Sequence, residues 1–312
     1  STLIVSNTPI TGENPFRLSV SVQNYLAVAW KEEATQLYAL SVIEGSDPGD
    51  DVQLTVIGQF SAQEKMFAIG FDLAYGVFMS CDVDYFRVYL LNNIDASGPV
   101  LDGDLLAQME GTCLGIASSD DGSLVFVAAE EGIKILDWSL LPDLLSFTND
   151  VSLLIVASFH ENESVLADYD RFHQQTISGS LLPFVDGYRG FHMVDISQLG
   201  DTDNPLDLRR GGFNAELGTY TVPKQYAIDC ALSDDLTRAY VLQETGGLRV
   251  LEVLTFTNLD AQQNPPLTSL KQYGKVASFM LENSPNSGSP ILMDGTGSRV
   301  IIGDKDRILH TI

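Results

Sequence analysis

The stretch SDDGSLVFVAAEEGIKILD at residues 119–137 returns, one residue longer, as SDDLTRAYVLQETGGLRVLE at residues 233–252. Each copy opens on a Ser-Asp-Asp turn and runs into an apolar, β-rich stretch. Each then breaks at a short acidic and glycine turn and closes on a second apolar run that ends in a carboxylate. β-Branched and aromatic side chains fit a pleated surface, and Asp and Gly fit the turns between strands. The two copies match strand for strand, so the pattern predicts antiparallel β-strands built from an internal repeat.

Working outward, the second run recurs at Phe191-His192-Met193-Val194-Asp195 and, more weakly, at Phe86–Leu90, Leu37–Ser41 and Ile308–Ile312. These six runs start at residues 37, 86, 133, 191, 248 and 308, at spacings of 49, 47, 58, 57 and 60 residues. A four-stranded propeller blade takes roughly 40–50 residues. The expected fold is therefore all-β: a single β-propeller domain over residues 1–312, with six four-stranded blades. Further strands are expected at Tyr25–Trp30, Leu37–Ile43, Ser123–Ala129 and Arg299–Gly303, with Trp30 and Trp138 packing between blades. No 3.6-residue period is sustained, and helical-looking pieces such as Asp143–Thr148 are too short to matter. The longer spacings leave room for polar insertions at Ser139–Asp150, Glu161–Ser180, Gln198–Tyr220 and Thr255–Pro266. Leu18–Val22 opens the first unit and Ile308–Ile312 reads as the third strand of the sixth. Thr2–Ser6 is then left to supply the outer strand of the last blade and close the ring.

The repeated strand resembles that of the LVIVD-repeat family of β-propellers, a Gly followed by a run like Leu-Val-Ile-Val-Asp and a Ser/Asp-Pro-type turn. Gly132–Asp137 with Trp138-Ser139, Gly190–Asp195 with Ile196-Ser197, and Gly247–Glu252 carry the resemblance, and Asn204-Pro205 and Asn264-Pro265 match the family's downstream Asn-Pro. It covers about two thirds of the chain. It implies a propeller of the kind common in secreted or surface proteins, and it implies no particular chemistry, because the repeat marks a scaffold.

Seventeen Lys+Arg stand against 42 Asp+Glu, a formal net charge of −25. Phosphate backbones need a basic face, so a nucleic-acid partner is not expected, and an anionic membrane surface is disfavoured for the same reason. No apolar run reaches the ~18–20 residues that span a bilayer. The first residue is Ser and no signal peptide is visible, which fits a processed chain or a trimmed one. Asn162-Glu163-Ser164 is the one glycosylation sequon. Together with the resemblance this places the chain outside the cell or on its surface. The three cysteines, Cys81, Cys113 and Cys230, form no CxxC pair. The plain reading is three buried, inert thiols; the alternative is one bridge, with Cys81–Cys113 as the pair.

The second position of the repeated strand is basic in four units: Arg87, Lys134, His192 and Arg249. It reads as the place where each strand meets solvent or an edge carboxylate, which makes His192 a surface histidine. His160, His173 and His192 lie in one unit among Glu161, Glu163, Asp168, Asp170 and Asp195. Imidazole and carboxylate suit a transition metal, and His173, Asp168 and Asp170 are the candidate ligands, but no HxH or HExxH spacing supports them. The acidic turns Asp47–Asp51 and Asp201–Asn204 are the places where Ca²⁺ would bind. Asp120-Asp121 and Asp234-Asp235 read as ordinary hairpin turns, as does Asp294–Gly297. No cofactor is expected, with Ca²⁺ possible at the acidic turns. No GxSxG, P-loop or GxGxxG occurs, and nothing selects a Ser-His-Asp triad.

These features point to a non-catalytic propeller that presents its loops to a protein partner or to a copy of itself. The expected contacts are Tyr169, Arg171, Phe172, Arg209, Arg210 and Phe213, residue types enriched at interfaces and carried by the two longest insertions. The rival is a metal-dependent propeller hydrolase or lyase with its site at one end of the central channel. Carbohydrate binding through Tyr169 and Phe172 is a third reading.

Overall fold

The computed structural model describes residues 15–20, 25–30, 35–42, 52–60, 68–72, 75–90, 104–119, 121–129, 132–160, 170–171, 176–177, 181–186, 190–208, 216–220, 226–233, 235–244, 247–256, 270–279, 291–293, 300–303 and 309–311. The chain divides into two compact units, Ser1–Cys113 with Leu140–Leu153, and Leu114–Ser139 with Leu154–Ile312.

The first unit holds two four-stranded antiparallel sheets, each wound in chain order. One is made of β1 (Pro15–Val20), β2 (Tyr25–Trp30), β3 (Thr35–Val42) and β4 (Val52–Phe60). The other is made of β5 (Ala68–Asp72), β6 (Val77–Cys81), β7 (Tyr85–Leu90) and β8 (Leu105–Glu110). The second unit opens with β9 (Cys113–Ser119), β10 (Leu124–Ala129) and β11 (Gly132–Asp137). A helical insert follows, Trp138–Leu140 and Val151–Leu154 as 3-10 turns around α1 (Leu141–Leu144), of which Leu140–Leu153 belongs to the first unit, and then β12 (Ile155–His160) of the second unit completes the sheet. Next come β13 (Asp170–Arg171), β14 (Thr176–Ile177), β15 (Leu181–Asp186), β16 (Gly190–Asp195), β17 (Leu206–Asp207) and β18 (Glu216–Tyr220). Strands β13, β15, β16 and β18 form a sheet of their own, while β14 and β17 add in parallel to the outer edges of β9 and β12. The last sheets are β19 (Ala227–Leu232), β20 (Arg238–Gln243), β21 (Gly247–Phe256), β22 (Leu270–Phe279), then β23 (Ile291–Met293), β24 (Val300–Gly303) and β25 (Leu309–Thr311).

The two copies quoted above fold in identical register. Leu124 pairs with Asp137 and Ala129 with Gly132; Arg238 pairs with Glu252 and Gln243 with Gly247. The glycine that opens the repeated strand sits at φ 118° in Gly132, 93° in Gly190 and 67° in Gly247. A side chain is disfavoured in that left-handed region, which explains why Gly precedes the apolar run. At the other end Asp137 and Asp195 each accept the backbone N–H two residues on, from Ser139 at 3.1 Å and Ser197 at 2.8 Å. These Asx turns stop the strand. Glu252 at the same place reaches instead for Arg238, 3.5 Å away, and β21 runs on to Phe256.

The register against the fourth strand slips at the same place in four copies: Val88/Tyr89, Ile135/Leu136, Met193/Val194 and Val250/Leu251. In β3 the slip falls at Leu37/Tyr38. The first copy therefore starts at Thr35, two residues before the Leu37 start expected from the letters, because an alternating strand looks alike when shifted by two.

Within the second unit, consecutive sheets stack face to face. Phe126, Ile133, Ile135 and Phe159 of the β9–β12 sheet share a core with Leu182, Phe184 and Val194. The opposite face of that next sheet, through Val185, Phe191 and Met193, packs on Cys230, Val241 and Leu251. Phe159 and Phe184 meet edge to face, with ring centroids 5.5 Å apart. Truncating a fully buried ring such as Phe184 costs about 3–5 kcal/mol, the transfer loss plus the cavity left behind. Trp138 is likewise fully buried.

Two expectations are corrected by this architecture. The segments Glu161–Ser180 and Gln198–Tyr220 are not plain surface insertions, because they supply β13, β14, β17 and β18. Their strands are short or polar, so they pass for loops in the sequence. The segment after Trp138 does form helical turns, started by Pro142, whose missing N–H costs nothing in a first turn.

Candidate functional site

The basic position of the repeated strand reaches diagonally back to the end of the preceding strand. Arg87 forms an ion pair with Asp82, and its guanidinium lies 4.5 Å from the Tyr85 ring centroid. Asp82 is buried and accepts the backbone N–H groups of Asp84 and Tyr85, both at 2.8 Å. In the matching place Arg249 Nε donates to Gln243 Oε1 at 2.8 Å. Burial pushes the Tyr89 phenol up, and the nearby Arg87 charge with hydrogen bonds from Ser80 and Arg87 pulls it partly back.

His192 departs from the expectation of a surface histidine. It is 4% exposed and lies flat on Phe184, its direct partner across the strand pair, with centroids 4.9 Å apart and planes at 8°. The aromatic partner turns a nominally basic slot into part of the core between two sheets.

The reading of three inert thiols is also overturned. Cys81 and Cys113 are bridged, with Cα atoms 4.8 Å apart, and the Cys113 N–H donates to the Asp82 carbonyl at 3.0 Å. Cys230 is free and buried. Burial, and then the Asp229 charge beside it, push its thiol well above the ordinary range, so it carries no thiolate nucleophile at neutral pH. Asp229 is fully buried on β19 and accepts the Cys230 N–H at 2.8 Å.

The acidic hairpin turns are self-contained. Asp121 Oδ1 accepts from the Ser119 hydroxyl at 2.6 Å, the Ser123 N–H at 3.0 Å and the Ser123 hydroxyl at 2.7 Å. Asp235 repeats this with the Ser233 hydroxyl at 2.7 Å and with the Thr237 N–H and hydroxyl at 3.0 and 2.8 Å. These bonds, the serine hydroxyl foremost, hold both carboxyls down to about 2. In the Asp201–Asn204 turn, Asp201 Oδ1 accepts the N–H groups of Asp203 and Asn204 at 3.0 and 2.8 Å. Among the described residues no three His, Cys, Asp or Glu side chains stand together as metal ligands.

Asn162, Asp168, Tyr169, Phe172, His173, Arg209, Arg210 and Phe213 lie outside the described residues, as do the turns 47–51 and 294–297 and the closing strand at Thr2–Ser6. Asp170 and Arg171 are the two residues of β13, paired with Asp186 and Val185. The described part of the chain brings forward a feature that the sequence reading passed over. The insert after β11 exposes Leu140, Phe147 and Leu153, at 36%, 72% and 52%. It is fixed to the edge strand β8, where Gln108 N–H donates to the Asn149 carbonyl at 2.8 Å. Its legible signal was four leucines around one proline, in a segment with acids and no base.

No family model matches the chain, and no curated protein matches it in sequence. Solved structures do. The periplasmic gluconolactonase PpgL of Pseudomonas aeruginosa superposes with a TM-score of 0.65 at 14% identity, covering 96% of this chain and 81% of its own. Sqt1 of Chaetomium thermophilum, bound to the N-terminus of the ribosomal protein L10, superposes with a TM-score of 0.59 at 12% identity, covering 95% and 71%. Both are propeller-like. The sheets of the second unit, stacked face to face in chain order, with this likeness, make the chain an all-β protein of propeller-like fold. In all, 1162 solved chains match, so the likeness shows a widely used fold and assigns no function.

Proposed function

We propose that the chain is a non-catalytic β-propeller of six blades, closed by the N-terminal strand, that holds a protein partner or assembles with itself outside the cell or on its surface. The observation that carries this reading is the use made of the polar side chains in the repeats. Asp82, Asp121, Asp137, Asp195, Asp201 and Asp235 are each committed to backbone N–H groups of a turn or strand end. A catalytic carboxylate would be left open toward a substrate. The LVIVD-like strand supports the same scaffold role, and the Cys81–Cys113 bridge suits an oxidising compartment. Tyr169, Arg171, Phe172, Arg209, Arg210 and Phe213 are the contact residues this reading assigns, with Arg209 and Arg210 meeting an acidic surface. A likeness to a protein that binds a peptide segment fits the reading, but it is an analogy of fold.

The test has two arms. The purified protein is assayed against a panel of sugar lactones with Ca²⁺, Mn²⁺ or Zn²⁺ added, and its assembly is followed by size measurement on dilution and by cross-linking in native extract. No turnover, together with an assembly that Arg209→Glu/Arg210→Glu weakens without shifting the melting curve, supports the scaffold. Metal-dependent turnover abolished by His173→Ala or Asp168→Asn would replace it with the hydrolase reading.

A further inference from the structure

We infer that the helical insert at Trp138–Leu154, with the edge strand β8 beside it, is a docking surface for a basic amphipathic segment of a partner protein. The inference rests on the protein-binding reading above and adds a surface and a partner chemistry to it. Five large hydrophobic residues are exposed among the described residues: Val83, Leu105, Leu140, Phe147 and Leu153. Three of them stand on this insert. A fourth, Leu105, is on β8, three residues from the Gln108 that holds the insert, or about 10 Å along a strand. Single exposed apolar residues need no explanation, but a grouping of this kind marks an interaction site.

The insert is held rigidly enough to present these side chains. Leu141, Leu144, Val151 and Leu154 are buried beneath it, and Asp150 accepts the Ser152 N–H at 2.9 Å. Gln108 and Asp150 form a bridge that covers the edge of β8. Phe147 is nevertheless the most exposed large apolar side chain described, although Leu144 before it and Val151 after it are buried.

Charge selects the occupant. Residues 138–154 contain Asp143 and Asp150 and no Lys, Arg or His, and residues 104–112 contain Asp104 and Glu110 and none either. All four acids are exposed. The cation on the neighbouring strand, Arg87, faces Gln108 across the β7–β8 pair but is committed to Asp82. Exposed leucine and phenylalanine side chains on an insert and a strand whose four acids have no ion pair among the described residues are complementary to leucine-type side chains flanked by Lys or Arg. A second copy of this chain, at −25, is repelled by the same acids.

The test uses a fluorescein-labelled 14-residue peptide of Leu and Lys with leucines at helical i, i+3, i+4 spacing, and an oligolysine of equal charge. Anisotropy is read with the full chain and with Phe147→Ser/Leu153→Ser. Both residues are more than half exposed, so the melting curve should not move. If the double variant fails to fold, Phe147→Ser alone decides. The expected result is at least tenfold weaker binding of the Leu/Lys peptide by the variant, with oligolysine binding unchanged. Equal binding of the Leu/Lys peptide by both proteins would overturn the inference, and so would a dimer of the parent that the variant dissolves. Either outcome leaves the scaffold reading standing, because that reading is decided by the lactone assay and by Arg209 and Arg210.

Discussion

Leu236 sits at φ 58° in the turn position that Gly122 fills at φ 69° in the equivalent copy. The two turns are otherwise the same, and each returns a backbone N–H to its serine Oγ at 2.9 Å, from Leu124 to Ser119 and from Arg238 to Ser233. The left-handed conformation costs a non-glycine residue roughly 1–2 kcal/mol. Glycine gives back about 0.5–1 kcal/mol of that through its freer unfolded chain. Leu236→Gly should therefore stabilise the protein by about 0.5–1 kcal/mol, read as a higher urea midpoint at constant slope. An unchanged or lower midpoint would mean that the partly buried leucine side chain supplies more packing than its backbone loses.

The Cys81–Cys113 bridge closes a loop with a sequence separation of 32. Chain-entropy reasoning assigns such a loop about 3–4 kcal/mol of stabilisation. Cys81→Ala/Cys113→Ala should lower the unfolding free energy by that amount in urea. Thiol titration supplies a second readout. The native protein should release no thiol, the unfolded but unreduced chain one, from Cys230, and the reduced chain three. Three thiols without reductant would remove the bridge.

The turn carboxyls set an acid limit. Asp121 and Asp235 are held at about 2 in the folded protein, against an ordinary value near 4. A carboxyl lowered on folding favours the folded state above its unfolded value, and that contribution fades as pH falls from about 4 toward 2. Stability should decline across this window, and Asp121→Asn/Asp235→Asn should decline less steeply. Carboxyl-carbon resonances of both residues titrating near 4 would refute the assignment. The isoelectric point near 4.2 adds a separate effect, association as the net charge vanishes, so the measurement belongs at low protein concentration.

How far the fold could be read in advance varied with the kind of signal. Strands β2, β10 and β24 fall within a residue of their expected spans, because Gly and Asp punctuate continuous apolar runs. The paired copies at 119–137 and 233–252 were legible down to register, since the same side chains bond the same turns. Strand β13 was hidden because two residues in an acidic stretch carry no periodicity. The burial of His192 depended on Phe184, eight residues away, which is visible only once the two strands pair. The Cys81–Cys113 bridge stood in the sequence only as the alternative to three inert thiols, because the nearness of the two residues is made by the β6–β7–β8 meander. The insert was dismissed for its shortness, although its anchoring comes from an edge strand and not from helix length.

The last sheet poses the remaining question of edges. Strands β23, β24 and β25 form three described strands, against four or more in each of the other sheets. An unpaired strand edge invites association with other chains, and propellers relieve it by pairing their two chain ends. The proposed closure takes Thr2–Ser6 as the fourth strand, a run of β-branched and apolar residues in which Leu3 and Val5 would share one face. Removing residues 1–8 should lower the melting temperature by several degrees and increase association at neutral pH, where the intact chain repels itself. A synthetic peptide of Ser1–Thr8 added in excess should restore part of the loss, because it can pair in trans with the same edge. A truncated protein that melts with the parent, or one that the peptide leaves untouched, would place the outer strand of that sheet elsewhere in the chain.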